Sequence, residues 1–271
     1  MRSVSFLEHR HMIALAVSDF DLPRSLLAAG RIAVDYLETG GHFVERTSAQ
    51  FPSRPLLLHN SVFNLSLAHP TALEDQQVVS RTLAALERTD APWLSVHLGF
   101  SAAEVLFDVH MTARSPALPQ AELLANMDRN VRVLAAAIPV PLILENLDYC
   151  PGGAYEHICE PKFIAAVLNA TDAGMLLDLA HARVSASWLG LPVEEYLAQL
   201  PLERVRQLHI SGPRSRDGVL FDAHESLLDE DYALLEWVLR RTQPLALTLE
   251  YNREEAVLVA ELERLRSVLG V

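Results

Sequence analysis

The feature that most constrains the fold is a short apolar run that recurs along the chain and closes each time on a histidine or an acid. In residues 141–146, PLILEN, the run closes on Glu145. Because it lacks polar alternation, such a run is typical of a parallel strand covered by helices on both faces. The same pattern closes on five other residues, namely His59, His97, Asp178, His209 and Glu250.

Segments with helical spacing of apolar residues lie between these runs. The predicted strands are residues 13–17, 32–37, 55–58, 93–96, 141–146, 174–177, 205–208 and 245–249. The predicted helices are residues 19–29, 73–88, 120–137, 160–169, 193–200, 231–241 and 254–269. Three long intervening segments are predicted as loops, namely residues 40–55, 100–119 and 211–226.

Eight strands alternating with helices over 271 residues predict an α/β fold, a (β/α)8 TIM barrel. We expect one domain over residues 1–271, with residues 1–11 as a short N-terminal lead-in. No glycine-rich phosphate loop follows the first strand, which disfavours an open doubly wound sheet.

Composition narrows the function classes. A formal charge of −13 disfavours a surface that binds nucleic acid, because such a surface needs clustered Lys and Arg. No apolar run approaches the ~18 residues of a membrane span and no secretory signal is recognisable, so we expect a cytoplasmic protein without membrane contact. The two cysteines, Cys150 and Cys159, do not form a CxxC pair, and the role of Cys150 stays open.

The carboxyl ends of barrel strands converge on one mouth, so we expect the residues that close the runs to meet there. Carboxylates so close together would repel one another unless metal ions neutralised them. Nine imidazole and carboxylate ligands without a thiolate suit two or three divalent ions, with Glu145 as a bridge. The predicted metal ligands are His59, His97, Glu145, Asp178, His181, His209, Asp222, His224 and Glu250.

Three of these ligands, His97, Glu145 and Asp178, are also predicted to be catalytic. Five residues flank the ligands in the sequence and are predicted to orient a substrate. They are Asn146, Tyr149, Arg183, Arg214 and Tyr251. For each of the five, a plain surface or packing role is an alternative of at least equal weight.

With these residues placed, the chain resembles the xylose-isomerase-like barrels. The order of the nine ligands is similar to the trinuclear zinc site of endonuclease IV. That likeness implies three metal sites, with His59, His97 and Glu145 at the first. It implies Glu145, Asp178, His209 and Glu250 at the second site, and His181, Asp222 and His224 at the third.

The surrounding sequence resembles more closely the multinuclear non-haem iron-dependent oxidases, the domain of unknown function 692 or methanobactin-biosynthesis type. The likeness rests on LENLDY (144–149), LLDLAHARVSA (176–186), the segment 200–212 and DAHE (222–225). It implies two or three irons, with oxygen, acting on cysteine residues of a ribosomally made peptide that a small partner protein often presents. Many members carry Asn in place of His181 and His-Gly in place of His59-Asn60, so the substrate stays open.

Three other functions are weighed against such an oxidase. An endonuclease IV-like hydrolase or phosphodiesterase would use zinc, and a sugar isomerase would use two ions such as manganese. The isomerase would also use a lysine near the metals, whereas the single lysine, Lys162, lies at a predicted helix start. A non-enzymatic metal-binding scaffold is disfavoured, because a centre with this many ligands keeps coordination positions open for substrate.

Overall fold

The computed structural model describes residues 12–108 and 111–271, so the expected lead-in, residues 1–11, lies outside the described residues. The strands are β1 (Ala14–Ser18), β2 (Tyr36–Gly40), β3 (Leu56–His59), β4 (Leu94–His97), β5 (Val105–Leu106), β6 (Thr112–Ala113), β7 (Leu142–Glu145), β8 (Gly174–Asp178), β9 (Val205–Ile210), β10 (Gly212–Arg216), β11 (Val219–Glu225) and β12 (Ala246–Leu249). The helices are α1 (Asp21–Ala28), α2 (Val44–Gln50), α3 (Gln76–Thr89), α4 (Gln120–Ala137), α5 (Pro161–Thr171), α6 (Leu179–Leu189), α7 (Val193–Leu197), α8 (Asp229–Leu239) and α9 (Glu255–Leu269).

Eight parallel strands close into a barrel in the order β1-β12-β9-β8-β7-β4-β3-β2. The predicted (β/α)8 TIM barrel is therefore confirmed. The division into domains stays a prediction. Among the helices of the described residues, none combines the length and apolar composition needed to cross a lipid bilayer.

The barrel has two apolar regions. The larger lies between the strands and the surrounding helices and includes Leu58, Leu144 and Leu208. The smaller fills the floor of the barrel interior and is formed by Ala16, Leu57, Trp93, Ile143, Leu176 and Ala246. Alternate residues of a strand face the same side. The inward-facing positions nearer the carboxyl ends of the strands carry polar side chains. The interior thus changes from apolar at the floor to polar at the mouth.

Helix α6 was not predicted, because no loop separates it from β8. Asp178 ends β8 and also caps α6, since its carboxylate accepts a hydrogen bond from the backbone nitrogen of His181 at 2.7 Å. Gly190, with a φ of 67°, ends the helix in the left-handed conformation. The predicted helix 193–200 is the shorter α7. Helix α6 carries His181 in its first turn, directly after the end of β8.

Three segments predicted as loops contain regular structure. Residues 211–226 form the antiparallel hairpin β10-β11, residues 40–55 include α2, and residues 100–119 include the short ribbon β5-β6. The hairpin was missed because arginine, serine and aspartate interrupt its apolar residues. Strand β2 also begins four residues later than predicted, because the apolar run from Ile32 precedes the strand rather than forming it.

Candidate metal centre

The first cluster of ligand atoms lies at the ends of three neighbouring strands. Nε2 of His59, on β3, lies 3.2 Å from Glu145 Oε2, and Nε2 of His97, on β4, lies 3.0 Å from the same oxygen. The two imidazole nitrogens are 3.3 Å apart. Ligand atoms of these three side chains all lie within 4.8 Å of one another, which is the spacing of donors around one ion.

A second cluster shares Glu145 and continues along the barrel mouth. Nδ1 of His209 lies 3.5 Å from Glu145 Oε1 and 3.9 Å from Asp178 Oδ2. It also lies 3.7 Å from Glu250 Oε1. Glu145, Asp178 and His209 again offer ligand atoms within 4.8 Å of one another. Because one oxygen of Glu145 faces each cluster, its carboxylate is placed to bridge two ions.

The remaining three predicted ligands meet on the far side of the mouth. Asp222 Oδ2, on the hairpin, lies 2.7 Å from His224 Nε2 and 3.7 Å from His181 Nε2. Glu250 Oε2 lies 3.5 Å from His224 Nε2 and joins this group to the second cluster. All nine predicted ligands therefore belong to one continuous network of contacts.

The buried donor atoms fit bound metal ions. Five buried side-chain atoms lack a hydrogen-bond partner within the described ranges, and three of them are Glu145 Oε2, Asp178 Oδ2 and His209 Nδ1. Leaving such atoms unsatisfied is costly, whereas a cation would satisfy all three. His97 keeps 40% of its side chain exposed, so the first cluster opens toward solvent. Imidazole and carboxylate donors suit iron, zinc or manganese alike.

Charge within the cluster shifts several pKa values of the metal-free protein. Burial raises the pKa of Asp178 to about 7, and the neighbouring Asp222 acts in the same direction. Burial alone would lower the pKa of His224, but the hydrogen bond to Asp222 raises it to about 9. Burial opposes ionisation of Glu145 as well, yet His59 and His97 hold its pKa well below the ordinary value. These shifts show mutual neutralisation among groups that a metal ion would otherwise neutralise.

The sequence of the chain also matches a known protein family. A family model described as RiPP precursor modification enzyme MbnB/TglH/ChrH matches residues 31–270. The chain belongs to this family. Membership makes it a peptide-modifying enzyme.

Relatives of this MbnB/TglH/ChrH family member carry the name UPF0276 protein. One from Caulobacter vibrioides is 28% identical over 236 residues, covering 84% of this chain and 82% of the relative. Another from Paraburkholderia phytofirmans is 30% identical over 227 residues, covering 81% and 72%. The similarity extends over most of both proteins.

Solved structures support the fold alone. A D-tagatose 3-epimerase-like protein aligns with a TM-score of 0.67 at 15% identity, covering 95% of this chain and 97% of that one. A xylose isomerase-like TIM barrel protein from Mycobacterium smegmatis in complex with magnesium aligns with a TM-score of 0.62 at 13% identity, covering 96% and 97%. The family member therefore has the xylose-isomerase-like form of the barrel that the sequence resemblance implied.

The five residues predicted to orient a substrate all contact other residues of the protein, and their role toward a substrate stays a prediction. Asn146 joins β7 to β8, because its amide donates to the Asp178 carbonyl at 3.0 Å and accepts from the Asp178 nitrogen at 2.9 Å. The hydroxyl of Tyr149 donates to Glu156 at 2.9 Å. Tyr251 is buried, and its hydroxyl accepts from the Glu254 nitrogen.

The two arginines among these five residues also bind other residues of the protein. Arg183 pairs with Glu230 and Asp231 on α8. Arg214 donates to the carbonyl of Ser226 at 2.7 Å and closes the base of the hairpin. These contacts support the packing alternative for both arginines, and their role toward a substrate stays a prediction.

One buried acid at the site was missed by the sequence analysis. Glu38, in the middle of β2, accepts a hydrogen bond from His209 Nε2 at 2.9 Å. The signal was present, since Glu38 follows the apolar residues of β2. The predicted strand 32–37 closes on Glu38, as the other runs close on ligands, but Glu38 was not counted among them.

A cleft on the same face of the barrel has a volume of about 630 Å³ and lies between the loops that follow β3 and β4. Its lining includes Val62 and Phe100, each three residues beyond a ligand of the first cluster. Phe63 and Phe107 also line it, with 64% and 48% of their surface exposed. Contiguous exposed apolar surface is typical of an interaction or ligand-binding site.

Proposed function

We propose that this chain is an iron-dependent, oxygen-using oxidoreductase that modifies cysteine residues of a ribosomally made peptide. The observation that carries the proposal is the position of Glu145 between two ligand clusters in a member of a peptide-modifying family. Such a bridge holds two ions close enough to act on one substrate.

Bound ions would supply Lewis acidity and, if they are iron, electrons for the reduction of oxygen. The first ion would be held by His59, His97 and Glu145. The second would be held by Glu145, Asp178, His209 and Glu250, and the third by His181, Asp222 and His224. Burial of Glu145 and Asp178 excludes water from the centre, while the exposed edge of His97 leaves an approach for a thiolate.

The cleft beside the first cluster is the proposed site for the peptide residues that flank the modified cysteine. It begins three residues beyond His59 and His97, so a peptide lying there would pass the open side of that cluster. Apolar peptide side chains fit its aromatic lining. A small partner protein that presents the peptide is part of the same proposal.

Metal analysis of anaerobically purified protein tests the metal and the reaction together. We expect two or three irons per chain, and oxygen consumption when a cysteine-containing precursor peptide from the same gene neighbourhood is added. Replacing the peptide cysteine by serine is the matched control and should abolish that consumption. Zinc alone, with hydrolysis of a phosphodiester and no oxygen use on the peptide, would refute the oxidase and favour the hydrolase.

The cleft has a separate test. Phe63→Ala and Phe107→Ala should each raise KM for the peptide by about tenfold, the usual cost of truncating an aromatic anchor. Their metal content should equal that of the wild type. Leu83→Ala on α3 is the control, because Leu83 is also exposed (39%) but lies outside the cleft lining. Unchanged KM in both phenylalanine variants would place the peptide elsewhere.

A further inference from the structure

A chain of buried hydrogen bonds crosses the barrel interior from its floor to His209. The indole Nε1 of Trp93 donates to Gln207 Oε1 at 2.7 Å. The amide Nε2 of Gln207 donates to Glu38 Oε2, also at 2.7 Å. Glu38 Oε1 lies 2.9 Å from His209 Nε2. All four side chains are buried, so water does not compete for these bonds.

Trp93 fixes the orientation of the Gln207 amide, and the carboxylate of Glu38, which only accepts, fixes the bond to His209. An indole nitrogen only donates, so the oxygen of the Gln207 amide must face Trp93 and its NH2 group must face Glu38. The hydroxyl of Thr248 donates to Glu38 as well. A carboxylate surrounded by donors accepts from each of them, so Oε1 accepts a hydrogen bond from the N–H at His209 Nε2, which keeps its proton.

We propose that Glu38 is a positioning residue for the metal centre and that Trp93 and Gln207 fix its role. By holding the Nε2 proton of His209, Glu38 leaves the lone pair on Nδ1. That nitrogen is one of the five buried side-chain atoms that lack a hydrogen-bond partner among the described residues. It faces Glu145 Oε1 at 3.5 Å and Glu250 Oε1 at 3.7 Å. A carboxylate behind a histidine ligand also makes the imidazole a stronger donor to metal.

Glu38→Gln gives the sharpest test, because it reverses one bond and preserves the shape of the side chain. The new amide oxygen would accept from Gln207 and Thr248, so its NH2 group would face His209 Nε2. Nε2 would then have to accept, which moves the ring proton to Nδ1 and blocks the metal-binding atom. We expect affinity for one zinc ion to fall by about 10- to 100-fold, the usual effect of losing such a partner.

Two measurements on protein titrated with zinc report the change. Competition with a chromophoric chelator gives the affinity, and long-range nitrogen–proton correlation spectra of protein labelled with 15N-histidine show which nitrogen of His209 carries the proton. At a zinc concentration that saturates wild-type protein but not the variant, the proton should lie on Nε2 in wild-type protein and on Nδ1 in the zinc-free fraction of the variant. Because both readouts use zinc, they test this inference separately from the proposed iron and peptide chemistry, although it rests on the proposed metal centre.

Tyr196→Phe is the matched control, since it removes a buried hydrogen bond of 2.9 Å to the Cys159 carbonyl, outside the chain to His209. It should retain wild-type zinc affinity. If Glu38→Gln does not fold, zinc affinity is measured in Trp93→Phe instead. Without the indole donor, the Gln207 amide is free to turn. Weaker zinc binding by Trp93→Phe would support the proposal. Wild-type affinity and an Nε2 proton in the folded variant, or an equal loss in Tyr196→Phe, would overturn it.

Discussion

At the residue scale, Glu145 is a carboxylate buried among other charged groups. It is 1% exposed, faces imidazoles on both sides and keeps one oxygen without a hydrogen-bond partner within residues 12–108 and 111–271. A carboxylate in that position is expensive to bury unless a cation balances it. Its environment is therefore explained by a shared metal ligand better than by a structural acid.

Replacing this residue has a specific expected result. Glu145→Gln should remove about two metal ions per chain, because both clusters depend on its charge, whereas His97→Ala should remove about one. Elemental analysis of the purified variants measures this. Glu261→Gln is the control, since Glu261 is another buried acid (6% exposed) with an unpartnered oxygen but lies on α9. A Glu145→Gln protein with full metal content would contradict the assignment.

The pKa shifts predict how metal binding depends on pH. Protons on Asp178, with a pKa of about 7, and on His224, with a pKa of about 9, compete with metal. Apparent zinc affinity should therefore rise between pH 6 and 9, by about tenfold per pH unit for each proton displaced. The rise should be steepest below pH 7, where both groups hold protons. Chelator competition at several pH values measures it, and a flat profile would refute the predicted competition.

At the element scale, the sequence predicted the barrel strands well and the mouth less well. Apolar runs such as 141–146 and 245–249 become β7 and β12 because both faces of each strand are buried. The same physics does not apply to the hairpin β10-β11, whose residues are largely solvent-accessible and whose pairing depends on tertiary position. Helix α6 was missed because boundaries between adjacent elements leave little trace in hydrophobic patterns.

The hairpin provides a test of the third ligand group. A Cβ on Gly212 would lie 2.2 Å from the Ser226 carbonyl oxygen and 2.6 Å from that of Glu225, so Gly212→Ala must displace the hairpin. Asp222 and His224 would move with it. We expect the metal content to fall by about one ion per chain while the other clusters stay loaded.

Gly40→Ala on β2 is the matched control for that variant, since its nearest contact is an ordinary 3.5 Å. It should keep the full metal content. If Gly212→Ala also binds every ion, the hairpin does not supply metal ligands.

At the scale of the whole molecule, the barrel brings five carboxylates together at one mouth. They are Glu38, Glu145, Asp178, Asp222 and Glu250. Their repulsion opposes folding, and bound cations would convert that cost into stabilisation. The hydrogen bonds from Trp93 through Gln207 to Glu38 connect this group of carboxylates to the barrel floor.

Removal of metal should therefore lower the melting temperature. At about 100 times its Kd, each bound ion contributes about 2.7 kcal/mol, or roughly 5–10 °C for a protein of this size. Calorimetry with and without a chelator measures the difference. The melting temperature of the Glu145→Gln protein should fall much less when the chelator is added. An unchanged melting temperature of the wild-type protein with chelator would contradict stabilisation by metal.

The central claim is that side chains from separate strands form one multimetal centre at the barrel mouth. Anomalous X-ray scattering from crystals of anaerobically purified protein tests it most directly. We predict one peak among His59, His97 and Glu145 and a second among Glu145, Asp178 and His209. Peaks only outside these two clusters, or none in protein purified with its metals, would contradict the account.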